Sequence, residues 1–271
     1  MVLHRSGFGV KNMHRFFVEK AAVGAAHIEI TDKENVGHIG RVLRLRTGDR
    51  ILVCDGEGWE YTCVLEEISK QAVSARIEDK QKNATEPSVA ITLYQGVPKG
   101  GKLDVTVQKC IELGVGRIVP VFMKRSVVSD KGNFKKKADR LRTIAEAAAK
   151  QSGRGIIPPV EEAEDFGDML EELRSYPLVL FPYENEDGTT MKDALKESHS
   201  LLAAGSSDSA GQADRPRIAV VIGPEGGFAD EEADALRALA NCRCVSLGKR
   251  ILRTETAGMA ALAMILYEIE L

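Results

Sequence analysis

The stretch Ile218-Ala219-Val220-Val221-Ile222-Gly223-Pro224-Glu225-Gly226-Gly227-Phe228 is an apolar run that enters a turn of three glycines and a proline. Asp230-Glu231-Glu232 then opens a helix, because carboxylates in a first turn complement the unpaired amides there. Further on comes a second tight loop, Leu247-Gly248-Lys249-Arg250-Ile251-Leu252-Arg253-Thr254-Glu255-Thr256-Ala257, ahead of the last helix. Two glycine-bearing loops, each between a strand and a helix, predict one small-molecule pocket at the strand ends of an α/β sheet.

The text on either side agrees with that sheet. From residue 89 onward apolar runs alternate with helical segments. Strands are expected at Val89–Leu93, Arg117–Phe122, Leu178–Pro182, Ile218–Ile222 and Cys244–Leu247. Helices are expected at Leu103–Leu113, Lys135–Gln151, Asp165–Leu173, Met191–Ser198, Asp230–Ala240 and Thr256–Ile269. Such alternation implies a mostly parallel sheet covered by helices. Ala203–Pro216, rich in Ser, Gly, Ala and Asp, reads as a surface loop. Residues 13–85 read differently. His14–Val18, 28–30, Ile51–Cys54, Trp59–Leu65 and Ala72–Ile77 are short strands, with a turn at Asp55-Gly56-Glu57-Gly58. One helix, capped by Asp32, carries Val36, Ile39, Val42 and Leu43 at helical spacing. The expected organisation is an N-terminal extension at 1–12, a small β-barrel at 13–85, a polar linker from Asp79 to Ser88, and an α/β domain at 89–271.

Bulk properties bound the function. The 271 residues suit two domains, and 44% hydrophobic with 28% charged content is ordinary for a soluble protein. No apolar run reaches bilayer length, and the N-terminus lacks the order of a signal peptide. Five scattered cysteines suggest a reducing, cytoplasmic setting rather than a disulfide framework. The net charge of −3 does not decide for or against nucleic acid. Basic clusters at Arg41, Arg44, Arg46 and Arg50, and at Lys124-Arg125 with Lys135-Lys136-Lys137, could face phosphate or only solvent.

Rival chemistries fall away on their residues. Gly96-Val97-Pro98-Lys99-Gly100-Gly101-Lys102-Leu103 nearly matches a phosphate loop, yet Leu103 has no hydroxyl for Mg²⁺ and Pro98 removes an amide. Its lysines, Lys99 and Lys102, then belong to an exposed basic loop or to RNA phosphate. Gly223–Gly227 is not G-x-G-x-x-G and does not follow a first strand. Cys242 and Cys244 have no histidine partners, so no metal site is expected. No Ser–His–Asp set can be assembled, since the α/β part holds only His199.

The two loops, in this order, resemble the signatures of the RsmE family, SPOUT-class RNA methyltransferases. So do Lys102–Gly114, Gln151-Ser152-Gly153-Arg154, and the opening Met13-His14-Arg15-Phe16-Phe17 with His38–Arg44 and Gly48-Asp49 behind it. The likeness spans residues 13–271. Lys150, where the family often has an acidic residue, and Ala229, where a Ser or Thr often caps the helix, depart from it. The resemblance implies a PUA-like barrel that binds RNA and an α/β domain with a deep C-terminal trefoil knot. It implies a cytoplasmic homodimer that uses S-adenosylmethionine to methylate N3 of a uridine in 16S ribosomal RNA, free or in the small ribosomal subunit. It needs neither metal nor membrane. A knot would demand small residues where the chain after Leu247 passes Gly223–Phe228. Backbone groups of Phe181, Pro182, Tyr183, Ile222, Gly223, Pro224, Glu225, Gly226, Leu247, Gly248, Ile251 and Leu252, with Thr256, would frame the cofactor. Glu225 would meet a ribose hydroxyl or bond within its turn. Thr254 or Thr256 would cap the last helix, and Glu255 would cap or act as base. Arg253 and Arg154 are the candidates for stabilising charge on the uracil oxygens. Arg15, Arg41, Arg44, Lys99, Lys102 and Arg125 are the candidates for RNA contact. The competing classes are a non-catalytic RNA-binding protein and a phosphate-loop NTPase.

Overall fold

The computed structural model describes residues 13–127, 134–184, 186, 188–198 and 215–270. The extension expected at 1–12, His199 and residues 203–214 of the expected surface loop lie outside them. The chain divides into two units, Met1–Glu86 with Gly153–Ile157, and Pro87–Ser152 with Pro158–Leu271.

In the first unit the strands are β1 (Arg15–Phe17), β2 (His27–Ile30), β3 (Arg50–Cys54), β4 (Trp59–Ile68) and β5 (Val73–Lys82), paired in the order β1-β3-β4-β5-β2 as one curled sheet. β1 runs parallel to β3 and the other pairs are antiparallel. Alternating residues such as Ile51, Val53, Cys63, Leu65, Val73 and Ala75 fill its core with Phe16, Ile28 and Ile39. Gly56 and Gly58 take positive φ in the β3–β4 turn, a conformation open to glycine at little cost. Asp32 caps α1 (Lys33–Gly37) by accepting the Asn35 amide at 2.8 Å. The expected longer helix continues from α1 through Val42, its second half as a π-helical turn at His38–Val42. Ile39 is buried, but Val42 is turned out to solvent. The linker expected from Asp79 is strand as far as Lys82. Lys80 and Lys82 lie over the Trp59 ring, 4.3 and 5.8 Å from its centroid, so cation–π contacts hold a segment that has no apolar alternation.

The second unit is built on a six-stranded parallel sheet of β6 (Ala90–Gly96), β7 (Arg117–Phe122), β8 (Glu164–Asp165), β9 (Leu178–Pro182), β10 (Arg217–Ile222) and β11 (Cys242–Val245). Its order is β11-β9-β10-β6-β7-β8. Central β10 reads as a continuous apolar run because both its faces are covered: Ile218, Ala219, Val220 and Val221 are all fully buried. Burial of each branched side chain there contributes about 1.5–3 kcal/mol. The helices are α2 (Lys102–Leu113), α3 (Phe134–Ser152), α4 (Phe166–Leu173), α5 (Met191–Glu197), α6 (Asp230–Arg237) and α7 (Thr254–Glu270). Gly114, at φ +105°, terminates α2 in the left-handed conformation. α7 packs on β6 and β10 with α2 and α5 against it, while α4 and α6 touch each other and cover β7 and β11.

Strand ends differ from expectation where they build the site. β6 runs on to Gln95-Gly96, and β11 begins at Cys242 and ends at Val245, after which Ser246 bridges to Thr190 outside the sheet. After β11, at one edge, the chain returns across β9 and β10 so that α7 starts beside the centre of the sheet. Thr254 marks the crossing. It is the first residue of α7 rather than its cap, and its hydroxyl donates to the Gly223 carbonyl at 2.6 Å while accepting from Gln95 Nε2 at 2.8 Å. The glycines expected to admit the returning chain have other neighbours. A Cβ at Gly223 would meet the Phe228 ring at 2.8 Å, within its own loop. Gly96 admits Pro224, whose nitrogen would lie 2.5 Å from a Cβ there. Gly258 in α7, against Leu93 and Gln95, is the small residue on the returning chain.

Candidate active site

The ends of β6, β9, β10 and β11 all open toward one cavity of about 560 Å³. Its walls are three loops: Pro182–Glu184 after β9, Ile222–Glu225 with Gly227 and Phe228 after β10, and Ser246–Thr254 after β11, with Ala257 from α7. Lys99 and Lys102, from the loop after β6 and the start of α2, complete the lining. This is the crevice outside the carboxyl ends of the strands where open α/β sheets bind ligands.

Each wall has a physical basis. Gly227, at φ +68°, closes the turn by donating its amide to the Pro224 carbonyl at 3.0 Å. The turn sets Phe228 edge-on to Phe181, with centroids 4.8 Å apart. Phe181 also packs on Tyr183 at 5.2 Å, and Arg237 covers the Tyr183 ring at 4.7 Å. The result is an aromatic wall held from behind by a cation. Opposite it, Glu225 accepts from the Lys99 amide at 3.1 Å and from Lys102 Nζ at 3.0 Å. Desolvation favours its neutral form. The Lys102 hydrogen bond, backbone amides and the Lys102 charge outweigh that and hold the carboxyl below the usual carboxylate range. Lys102 Nζ also lies 3.9 Å from Glu255 Oε2, an oxygen that is buried and accepts no hydrogen bond. Lys249, Arg250 and Arg253 stand exposed on the third loop.

The expected site residues divide accordingly. Pro182, Tyr183, Ile222, Gly223, Pro224, Glu225, Leu247, Gly248, Ile251, Leu252 and Arg253 line the cavity. Phe181 does not, being fully buried behind Phe228. Gly226 faces outward, where a Cβ would meet Arg125 at 3.0 Å, and Thr256 is exposed on α7 outside the lining. Lys99 and Lys102, expected on an RNA face, are part of the cavity wall. In the near-match to a phosphate loop, Gly96 is a strand residue and the Lys99 amide is bound to a carboxylate. Arg125 is half exposed, with its Nη2 3.5 Å from Asp230 Oδ1. Ala229 lacks the expected capping hydroxyl, and Glu232 compensates by accepting the Ala229 and Lys124 amides at 3.0 and 2.8 Å. Lys150 pairs with Glu146 along α3 at 2.6 Å.

Arg154 and Arg15 are corrected. Arg154 belongs to the first unit and is buried against Glu86, with Nη2 2.6 Å from Oε2 and both side chains 3% exposed. Arg15 pairs with Glu60 and donates to the Arg154 carbonyl at 3.1 Å. Arg15 ties the Arg154 main chain to β4, the Arg154 guanidinium pairs with Glu86, and neither side chain is in the cavity lining. Arg41 and Arg44 are exposed beside α1, and Arg44 takes φ +54°.

Sequence reading missed the polar underside of the site. Gln95 is fully buried at the end of an apolar strand. A buried amide there demands partners, a signal that could have pointed to Thr254. The cysteines offer no nucleophile. Burial pushes the Cys54, Cys63 and Cys110 thiols up to about 12.

Residues 85–266 match the model of a family described as an RNA methyltransferase domain, and residues 30–78 match an RNA methyltransferase PUA domain. Fold and cavity therefore belong to an RNA methyltransferase, a SPOUT-type parallel sheet preceded by a PUA unit. The chain is 34% identical over 262 residues to Ribosomal RNA small subunit methyltransferase E of Bacillus subtilis strain 168, covering 96% of this chain and 98% of that one. A crystal structure of a Ribosomal RNA small subunit methyltransferase E from Neisseria gonorrhoeae, bound to S-adenosyl methionine, superposes with a TM-score of 0.74 at 28% identity, covering 93% of this chain and 96% of that one. A solved structure described only as a hypothetical protein reaches 0.81 at 32% identity, covering 94% and 98%. The chain belongs to the ribosomal RNA small subunit methyltransferase E family.

Proposed function

We propose that this protein transfers a methyl group from S-adenosylmethionine to N3 of a uridine in 16S ribosomal RNA, acting in the cytoplasm as a homodimer on the RNA or on the small ribosomal subunit. The observation that carries the reading is the cavity itself. Three loops from distant parts of the chain present backbone groups, an aromatic wall and a carboxylate on one side, and open beside a run of exposed cations on the other. The residues fit the cofactor. About 560 Å³ suits a molecule of that size. Tyr183 and Phe228 offer apolar surface to adenine, Glu225 offers a ribose acceptor, and the backbone of Leu247–Leu252 offers donors and acceptors along its length.

When bound, the cofactor supplies a methyl group on a sulfonium, which is already electrophilic. The chain's own contribution is alignment and charge. Positioning two reactants for attack can supply on the order of 7–11 kcal/mol of the barrier. Loss of the N3 proton leaves negative charge on the uracil oxygens, and Arg253, at the cavity wall, is placed to meet it. Glu255 stands two residues along, in the first turn of α7, with one oxygen free of hydrogen bonds. We assign Arg41 and Arg44 to the RNA backbone, and Arg154 to structure instead of chemistry. A trefoil knot would account for the return of the chain from β11 to the centre of the sheet. Val105 and Leu113 on α2, with Met264 and Tyr267 on α7, are exposed on two helices that pack together. They support pairing of two copies there.

The test is mass spectrometry of 16S ribosomal RNA from a strain lacking this protein, with purified protein and S-adenosylmethionine added back. Loss of one N3-methyluridine that the protein restores is expected. An unchanged modification profile refutes the reading.

A further inference from the structure

Ile251 is the most exposed large apolar residue among those described, at 83%. It lines the cavity, and at that exposure its side chain stands in water. Its neighbours on the loop, Lys249, Arg250 and Arg253, are exposed cations. An isolated exposed aliphatic residue needs no explanation. One set among three cations at the mouth of a ligand cavity has a defined chemical complement: a chain carrying one anion per repeat and one flat apolar group between anions. Single-stranded RNA has that pattern, and proteins that hold it combine a cationic track with apolar platforms for the bases.

We infer that Ile251 is the seat of the target nucleobase. Phosphates flanking the reactive nucleotide lie along Lys249 and Arg250, and the extruded base rests on the Ile251 side chain as it enters the cavity, where Arg253 meets its oxygens. The inference rests on the function proposed above and adds its substrate geometry. The loop Ser246–Thr254 thereby serves both partners, the cofactor in the cavity and the substrate at its opening. A second copy of the chain is the poorer occupant. A two-fold contact centred on this loop would set its cations against their own copies, since such contacts are self-complementary. The exposed apolar residues of α2 and α7 form a separate surface without that penalty.

Full-length protein, saturated with S-adenosylhomocysteine, is titrated against a fluorescent single-stranded RNA bearing the target uridine, and anisotropy is read. Ile251→Ser should weaken RNA affinity by about 10-fold or more, the effect of uncovering one branched aliphatic side chain. Ile251→Leu should stay within about threefold, because volume-conserving apolar changes are tolerated. With an RNA whose target nucleotide is abasic, wild type and Ile251→Ser should bind alike. Calorimetry should find cofactor affinity unchanged in both variants. Equal RNA affinity of Ile251→Ser and wild type overturns the inference, and so does the same defect on the abasic RNA. A parallel loss of cofactor affinity, or a change of assembly state by sedimentation, assigns the side chain to another occupant and also overturns it. Methyl transfer by the wild type is measured beside these. Its absence refutes the proposed function, while the affinity comparison still decides the role of Ile251.

Discussion

Arg154→Ala should damage the first unit before it touches catalysis. Among the described residues Arg154 is the cation paired with Glu86, whose Oε1 also accepts the Gly155 amide at 3.0 Å. Removing the guanidinium therefore leaves a carboxylate that is 3% exposed without its counter-charge. Breaking a buried pair from one side costs about 3–5 kcal/mol. For a domain of this size each kcal/mol lowers the melting temperature by about 4–8 °C, so a fall of ~12 °C or more is expected for the first unit. Calorimetry reads it as an earlier transition, and hydrogen exchange should localise it to β1, β3 and the 153–157 segment. The diagnostic variant is the double change Arg154→Met with Glu86→Leu, which removes both charges at once. Replacing a buried pair by apolar groups is neutral or stabilising in several proteins, so the double variant should recover both stability and methyl transfer. A double variant that melts like the wild type, binds RNA normally and transfers no methyl would restore Arg154 to the chemistry and refute its structural assignment.

Arg253→Ala should reduce methyl transfer by about 100-fold or more, as loss of a charge-stabilising donor does, while calorimetric affinity for S-adenosylmethionine stays within a few fold; unaltered turnover contradicts the role. Arg41→Glu with Arg44→Glu should weaken RNA binding and flatten its dependence on salt by about two counterions' worth, leaving cofactor binding intact, and an unchanged salt slope assigns the RNA to another face. Gly96→Ala should destabilise the second unit by about 1–3 kcal/mol and lower cofactor affinity, because the added Cβ would lie 2.5 Å from the Pro224 nitrogen and must push the β10 loop into the cavity; a variant with wild-type melting and affinity shows that the loop gives way freely.

How far the sequence could be read depends on the range of the interactions involved. Local ones were legible. The Asp32 cap, the left-handed end of α2 at Gly114 and the glycine turn after β3 are each fixed by residues within a few positions of one another. The apolar run of β10 could be placed in a buried parallel sheet because its burial on both faces leaves no alternation. Failures came where a distant partner overrode the local signal. Polar β5 persists past Asp79 because Trp59, on the neighbouring strand, takes Lys80 and Lys82 on its ring. The helix expected through Val42 is there, but it changes from α to π geometry at His38, and nothing in the spacing of apolar residues shows that change.

The site shows the same division more sharply. Its loops could be found, since glycines beside an apolar strand end are a local pattern, and family resemblance ordered them. The charges could not be assigned, because a lysine or arginine announces its sign and not its partner. Lys102 belongs to the cavity since Glu225, 123 positions away, accepts from it. Arg154 belongs to the first unit since Glu86, 68 positions away, is buried with it. Both side chains sit in motifs that a reader would treat alike, and the electrostatic environment separates them. The Lys102 side chain is 26% exposed and stays within reach of a ligand, while Arg154 at 3% exposure is not. Burial of the carboxylate partner thus decides which cation of a motif can act on a substrate, and that quantity enters only once the chain is folded.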